Sequence, residues 1–257
     1  MKYLITGGTG FLGQALVKRI MSRMMPKEKV IVYSRDEFKQ SEMARELDGK
    51  HRSENVEYWL GDVRDLNRLK EACEGVDIII HTAALKRMDQ KTHNAYEVID
   101  VNVRGTKNVC EAGRNSARVY IVSSDKAYKS ENIYGASKFC AEGVALAYDN
   151  TVVWRFGNFI DSRGSVFEIF KEQRDAGVPL TITDPNATRF IMSVEEAVNC
   201  ILRYEEHDGL HYPENLKSMT VKEIADSIAP GHPFVITGLR EGEKLFESFS
   251  DNYNSKK

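Results

Sequence analysis

Eight residues near the amino terminus restrict this chain more than any others. Thr6-Gly-Gly-Thr-Gly-Phe-Leu-Gly13 follows a short apolar run, Tyr3 to Thr6, and opens a segment, Phe11 to Met25, whose apolar residues recur at helical spacing. Gly8-x-Gly10-x-x-Gly13 in that setting fits a dinucleotide-binding turn. Glycines allow the tight bend and a close backbone approach, and the helix amino end then faces a pyrophosphate. Gly7, Thr9, Gly10, Phe11, Leu12 and Gly13 are the expected contacts. A plain tight turn is the competing use of the same glycines.

The rest of the first 155 residues repeats the strand–helix alternation. Strands are expected at Val30–Tyr33, Val56–Leu60, Val76–His81, Val119–Val122 and Thr151–Arg155. Helices are expected over Asp36–Leu47, Asp65–Cys73, Ala95–Arg114 and Tyr134–Tyr148. Ile78-Ile-Ile80 is a continuous apolar run of the kind buried on both faces of a parallel sheet. The fold class is therefore α/β, a Rossmann-like doubly wound parallel sheet. Past Asn158 the segments shorten and turn signals multiply, with helices expected at Val194–Tyr204 and Val221–Ile228. Residues 1–160 read as the dinucleotide-binding domain. Residues 161–257 read as a smaller C-terminal substrate-binding lobe, partly interleaved with it, ending in a frayed polar tail from Asp251.

Composition excludes several classes. With 257 residues, 42% of them hydrophobic, the chain buries a full core. A formal net charge of −2 offers nothing to nucleic acid. No apolar run approaches the ~20 residues of a membrane span, and no leader is visible, so a soluble cytoplasmic protein with no membrane partner is expected. Cys73, Cys110, Cys140 and Cys200 stand apart from one another, at no metal spacing, and read as buried free thiols. The histidines do not cluster, so no metal is expected.

The ends of the strands select the cofactor. Val32-Tyr33-Ser34-Arg35-Asp36 lacks the acid that NAD enzymes place directly at the strand end, and Ser34 and Arg35 suit a 2′-phosphate. NADP is therefore favoured over NAD, with Asp36 and Lys39 completing the candidate set. Asp62 and Val63 follow the third strand, where adenine lies, and Thr82, Ala83 and Ala84 follow the fourth, where small residues admit the cofactor.

Chemistry concentrates in Ser123-Ser-Asp-Lys-Ala-Tyr-Lys-Ser-Glu-Asn-Ile-Tyr-Gly-Ala-Ser-Lys138. Tyr134 and Lys138, four apart on a helix, project to one side. A tyrosine near an ammonium is a usable base for a sugar hydroxyl, with Ser124 as a third partner. Asp125 and Lys126 exceed what a simple alcohol oxidation needs. In a 4-keto sugar an amine removes the acidified C5 proton and a carboxyl group protonates the departing C6 hydroxyl. A surface ion pair or a turn is the other use of such a pair.

Taken together these residues resemble the extended short-chain dehydrogenase/reductases. Thr6-Gly7-x-x-Gly10-x-x-Gly13 is their glycine motif, and Tyr134-x-x-x-Lys138 their catalytic pair. Tyr33-Ser-Arg-Asp36, His81-Thr-Ala-Ala-Leu-Lys86, Asn102-Val-x-Gly-Thr106, Ser124-Asp-Lys126, Arg155-Phe-Gly-Asn158, Ser162-Arg-Gly-Ser165, Thr188-Arg-Phe190 and Arg240-Glu-Gly-Glu-Lys244 narrow the resemblance to the inverting UDP-N-acetylglucosamine 4,6-dehydratases of bacterial surface-sugar biosynthesis. The resemblance implies Lys126 as the C5 base and Asp125 as the assistant of C6 hydroxyl loss. Tyr134 and Lys138 would serve the C4 oxidation and the nicotinamide ribose, and hydride would return to C6 with no net redox change. It adds Lys86 and Asn102 to the cofactor set. It assigns Lys86, Asn158, Ser165, Arg189 and Arg240 to a UDP-sugar, the two arginines to its diphosphate. Homo-oligomers are usual in the family, and the Ala95–Arg114 and Tyr134–Tyr148 helices are the expected pairing elements. Ser124 stands where the family usually has threonine and keeps the hydroxyl. The family generally continues beyond the Arg240–Lys244 motif, so a trimmed substrate lobe is expected. An epimerase of the same family and a non-catalytic NADP-binding sensor are the alternative functions.

Overall fold

Strands and helices alternate through the first two-thirds of the chain, as the periodicities require. The computed structural model describes residues 1–86, 92–160, 162, 164–204 and 207–255. The order is β1 (Lys2–Thr6), α1 (Phe11–Met21), β2 (Lys29–Ser34), α2 (Glu37–Leu47), β3 (Val56–Leu60), α3 (Leu66–Ala72), β4 (Ile78–His81), α4 (Ala95–Ile99), α5 (Gly105–Gly113), β5 (Arg118–Ser124), α6 (Ile133–Ala145) and β6 (Thr151–Phe156). There follow β7 (Asn158–Phe159), α7 (Val166–Asp175), β8 (Leu180–Ile182), β9 (Thr188–Met192), α8 (Val194–Ile201), β10 (Gly209–His211), β11 (Lys217–Thr220), α9 (Val221–Ile228), β12 (Phe234–Ile236), β13 (Ser248–Ser250) and β14 (Tyr253–Asn254).

Seven strands form one sheet in the order β3-β2-β1-β4-β5-β6-β10, every pair parallel. The two-residue repeat of a strand sends alternate side chains to opposite layers. Tyr3, Ile5, Val30, Val32 and Ile80 pack with Leu16, Val17 and Ile20 of α1 and Val198 and Ile201 of α8. Leu4, Ile31, Ile79, Val119 and Ile121 pack on the other face with Leu69 of α3 and Val109 and Cys110 of α5. This is the doubly wound arrangement, and it aligns the carboxyl ends of all seven strands along one edge. Helix α8 and strand β10, both past residue 160, belong to these layers. A third cluster, built on Phe167, Phe170, Leu180, Ile182, Ile191 and Ile224, is the core of the C-terminal lobe.

Four expectations need correcting. The first helix stops at Met21, where the Ser22 hydroxyl donates to the Arg19 carbonyl at 2.8 Å. The long Ala95–Arg114 helix contains a π turn at Asp100–Arg104 between α4 and α5. Cys140 is exposed on the outer face of α6, whereas Cys73, Cys110 and Cys200 are buried. The tail from Asp251 is not frayed over its described length. Ser255 is fully buried, its amide donating to the Glu247 carbonyl and its hydroxyl accepting from the Glu247 amide, both at 2.8 Å.

Candidate active site

The glycine turn is shaped by contacts a side chain would destroy. Gly7 has φ of +68° and donates its amide to the Tyr33 carbonyl at 2.8 Å. A Cβ on Gly13 would lie 2.4 Å from the Gly7 carbonyl oxygen, so only glycine lets α1 begin against the turn. Gly10 is the N-cap of α1, with no side-chain cap and no acid in the first turn. The first amides of an eleven-residue helix therefore point outward without a competing carboxylate. That is the arrangement a dinucleotide pyrophosphate requires, and the residues present fit one. Thr9 and Leu12 are buried beneath the turn, and Phe11 flanks it.

At the next strand ends the expected cofactor residues divide. The Ser34 hydroxyl is buried and accepts from Gln40 Nε2 at 3.0 Å, and Asp36 caps α2 while pairing with Lys39 at 2.8 Å. Arg35 is half-exposed, 3.6 Å from Asp62. Burial works against the Asp62 carboxylate, but hydrogen bonds from Arg64 hold it below the ordinary range. Two cations, Arg35 and Lys39, thus flank the β2 terminus. Val63 is buried under this corner. Thr82 donates its hydroxyl to the Thr6 carbonyl at 2.9 Å, leaving Ala83 and Ala84 half-buried beside the glycine turn. Asn102, in the π turn, grips the next residue from both sides. Its Oδ1 accepts from the Leu85 amide at 2.8 Å, and its Nδ2 donates to the Leu85 carbonyl and to Ser137 Oγ, each at 2.9 Å. Asn102 thus shapes the loop that carries Lys86, which is itself exposed.

The catalytic candidates converge where β5 ends. Ser124 is the last strand residue, and Asp125–Ala127 forms a 3₁₀ turn packed against the first turn of α6. Gly135 allows that contact, because a Cβ there would sit 2.3 Å from the Lys126 carbonyl oxygen. Asn132 caps α6 by accepting from the Gly135 amide at 2.9 Å. Tyr134 is thereby brought beside Ser124. Burial raises the Tyr134 pKa, opposed by the Lys126 charge and the neighbouring Ser124 hydroxyl. Lys138 is buried and donates to the Val122 carbonyl at 2.5 Å. Burial lowers its pKa to about 8, against the pull of Glu142.

Asp125 is completely buried. Its Oδ1 accepts from Ser124 Oγ at 2.9 Å and from Lys126 Nζ at 3.1 Å, while Oδ2 has no hydrogen-bond partner. Lys126 Nζ also donates to Asn158 Oδ1 at 2.9 Å and lies 3.5 Å from Glu247 Oε1. Burial raises the pKa of Asp125, the Lys126 charge opposing. Burial works against the Lys126 ammonium, but Asp125 and Glu247 outweigh it and the net shift is upward. Glu247 is lowered: burial raises it, and Lys126, Arg189 and Lys244 together prevail. The cluster thus contains two carboxylates that burial works against and one ammonium between them.

The structure brings Ser124, Asp125, Lys126, Tyr134, Lys138 and Asn158 together, and leaves others apart. Ser165 caps α7, accepting from the Glu168 amide at 3.3 Å. Arg163, inside the Ser162–Ser165 motif, lies outside the described residues. Arg189 is buried, with Nη2 on Glu243 Oε1 at 2.7 Å and Nη1 on the Thr188 carbonyl at 2.8 Å, so a diphosphate would compete with Glu243 for it. Arg240 lies on an exposed loop. Glu247 was not foreseen: it stands 121 positions beyond Lys126, and only the neighbouring Arg240–Lys244 motif pointed to that region. Among the described residues no group of three or more His, Cys, Asp or Glu side chains is placed to hold a metal ion, and no helix is long and apolar enough to cross a membrane.

Known proteins share this architecture. The family described as "Polysaccharide biosynthesis protein" matches residues 3–257. A Campylobacter jejuni protein named UDP-N-acetylglucosamine 4,6-dehydratase (inverting) is 38% identical, the match covering 95% of this chain and 75% of that one. A Rickettsia bellii protein named UDP-glucose 4-epimerase is 35% identical over 95% of this chain and 76% of its own. Among solved structures, Pen from Bacillus thuringiensis superimposes with a TM-score of 0.86 at 28% identity, over 96% of this chain and 82% of that one.

Proposed function

The chain belongs to the polysaccharide biosynthesis protein family, and on that premise we propose that it is an NADP-dependent nucleotide-sugar 4,6-dehydratase acting on UDP-N-acetylglucosamine. The product is a UDP-4-keto-6-deoxy-hexosamine inverted at C5. The observation that carries this reading is the buried Asp125–Lys126 pair beside Tyr134, an acid and an amine that an alcohol oxidation alone does not use.

The glycine turn Gly7–Gly13 and Lys138 would hold a nicotinamide dinucleotide, which would supply an acceptor for the C4 hydride and a donor for C6, with no net redox change. Tyr134 acts as the phenolate, an anion that the Lys126 charge favours, and accepts the C4 hydroxyl proton beside Ser124, while Lys138 supports it from one turn further along α6. The Asp125–Lys126 pair holds one proton that either member can carry. With the proton on Asp125, Lys126 is a neutral amine. The amine then takes the C5 proton, the C5–H electron pair becomes the C5–C6 double bond, and the C6–O bond breaks. Asp125 donates its proton to the departing oxygen, which leaves as water. Lys126 ends as ammonium and Asp125 as carboxylate. Once C6 has received hydride, the electron pair returns to C5, which takes a proton from water on the opposite face. Transfer of the Lys126 proton to Asp125 and of the Tyr134 proton to water restores the starting state.

The glycine turn, the uncapped α1 terminus, Arg35 and Lys39 support NADP. Lys86, Asn158 and Arg240 are proposed sugar or diphosphate contacts. Tyr96 and Ile99 on α4 and Phe139 on α6, all exposed, support a homo-oligomer joined through those helices. The test is incubation with UDP-N-acetylglucosamine and mass analysis of the product. Loss of one water is expected, and intact substrate in the presence of bound cofactor overturns the reading. The Rickettsia bellii relative motivates a second reading, a nucleotide-sugar epimerase, which gives an isomer of unchanged mass in the same measurement.

A further inference from the structure

Lys126 is held by more than its neighbour in sequence. Its ammonium has three N–H groups, and three acceptors from three parts of the chain surround them: Asp125 in the same turn, Asn158 in β7, and Glu247 just ahead of β13. Glu247 is only 3% exposed. Its Oε1 is 3.5 Å from Lys126 Nζ, and its buried Oε2 has no hydrogen-bond partner, with Lys244 Nζ 3.7 Å away. A carboxylate is not placed there by accident of a loose loop. Ser255 clamps its backbone in both directions, and the Ser255 hydroxyl also meets Thr188 Oγ1 at 2.7 Å. We infer that Glu247 is a positioning residue for Lys126, the third arm of a tripod that fixes the amine beside Asp125 and Tyr134, delivered to the site by the folded-back C-terminal hairpin.

The inference rests on the dehydratase reading and assigns Glu247 a measurable effect within it. The charged groups that face Lys126 are Asp125, Glu247, the more distant Arg189, and Tyr134. Lys244 acts on Glu247 from the same loop. Among these the two carboxylates favour the ammonium and Arg189 opposes it. The Asp125–Lys126 pair is competent with one proton, so activity rises with pH as the doubly protonated pair loses one, and that limb reports the pair that Glu247 faces. An opposite charge within a few ångströms displaces such a limb by about one to three pH units. Removing the Glu247 charge therefore moves it to lower pH.

The experiment is the pH dependence of kcat for dehydration of UDP-N-acetylglucosamine by the full chain with cofactor, comparing wild type, Glu247→Gln and Glu247→Asp. The rising limb is expected about one pH unit or more lower in Glu247→Gln, and displaced in the same direction by less in Glu247→Asp, which retains a charge but withdraws it. A lowered rate with the limb unmoved in either soluble variant makes Glu247 a merely structural residue and overturns the inference. If Glu247→Gln does not fold, Glu247→Asp decides by the same criterion. Absence of dehydration by the wild-type protein is the separate failure of the dehydratase reading.

Discussion

Lys126 sits between two carboxylates at 15% side-chain exposure, and this environment decides what its replacement does. Lys126→Ala removes the C5 base and leaves Asp125 and Glu247 buried without their shared cation. Dehydration is expected to fall below detection while cofactor binding persists, with a stability loss of about 3–5 kcal/mol for breaking a buried pair from one side. Product analysis, cofactor titration and denaturant unfolding separate these effects, and undiminished dehydration removes Lys126 from its role. Asp125→Asn keeps the shape but cannot supply the C6 proton. Its kcat is expected to fall by about two to four orders of magnitude, the usual worth of a general acid, in a steady-state assay. Asp125, Lys126, Tyr134 and Lys138 were legible in the sequence because a local motif placed them within one strand end and one helix start. Glu247 was not, since only tertiary folding of the C-terminal hairpin brings it to Lys126.

Helix α6 offers a comparison of two glycines, Gly135 and Gly143, about 12 Å apart by helical rise and a little over two turns. Gly135 abuts the Lys126 carbonyl, so Gly135→Ala must displace either the 3₁₀ turn or the start of α6. A loss of about 1–3 kcal/mol is expected for such overpacking, with kcat reduced more than the cofactor affinity, because Tyr134 and Lys126 move relative to each other. Gly143 has open space around its Cβ position, and Gly143→Ala is expected to stabilise by about 0.5–1 kcal/mol through helix propensity alone. Thermal unfolding of the two variants checks both signs. At the end of β2, Arg35→Ala is expected to weaken NADP binding about tenfold or more, the worth of a charge-assisted hydrogen bond, and to leave NAD binding little changed; paired titrations measure this. The parallel strands were readable because their apolar runs are short and bounded by glycines and helices. Helix α7 went unread although Ser165 and Glu168 have the spacing of a cap, since the surrounding turn signals outweighed ten residues of mixed polarity.

Across the whole molecule, the sheet and the C-terminal hairpin are joined through the buried Arg155. Arg155 in β6 bonds Glu142 of α6 through Nε at 2.9 Å and Nη2 at 2.6 Å, and its Nη1 donates to the Phe249 carbonyl in β13 at 2.6 Å. The hairpin that carries Glu247 is thus anchored to the strand beside the catalytic turn. Arg155→Met strands the Glu142 carboxylate and releases that anchor, with an expected cost of about 3–5 kcal/mol in equilibrium unfolding. The sequence reading of a polar, loose tail failed here because side-chain composition does not reveal that Ser255 and Phe249 fill the lobe. The central claim, that Asp125 and Lys126 convert a sugar oxidation into loss of water, is tested most directly by the reaction of UDP-N-acetylglucosamine in heavy water followed by mass spectrometry. A product lighter by one water and carrying solvent deuterium at C5 is the expected result. A product of unchanged heavy-atom composition, or unreacted substrate with cofactor bound, contradicts it.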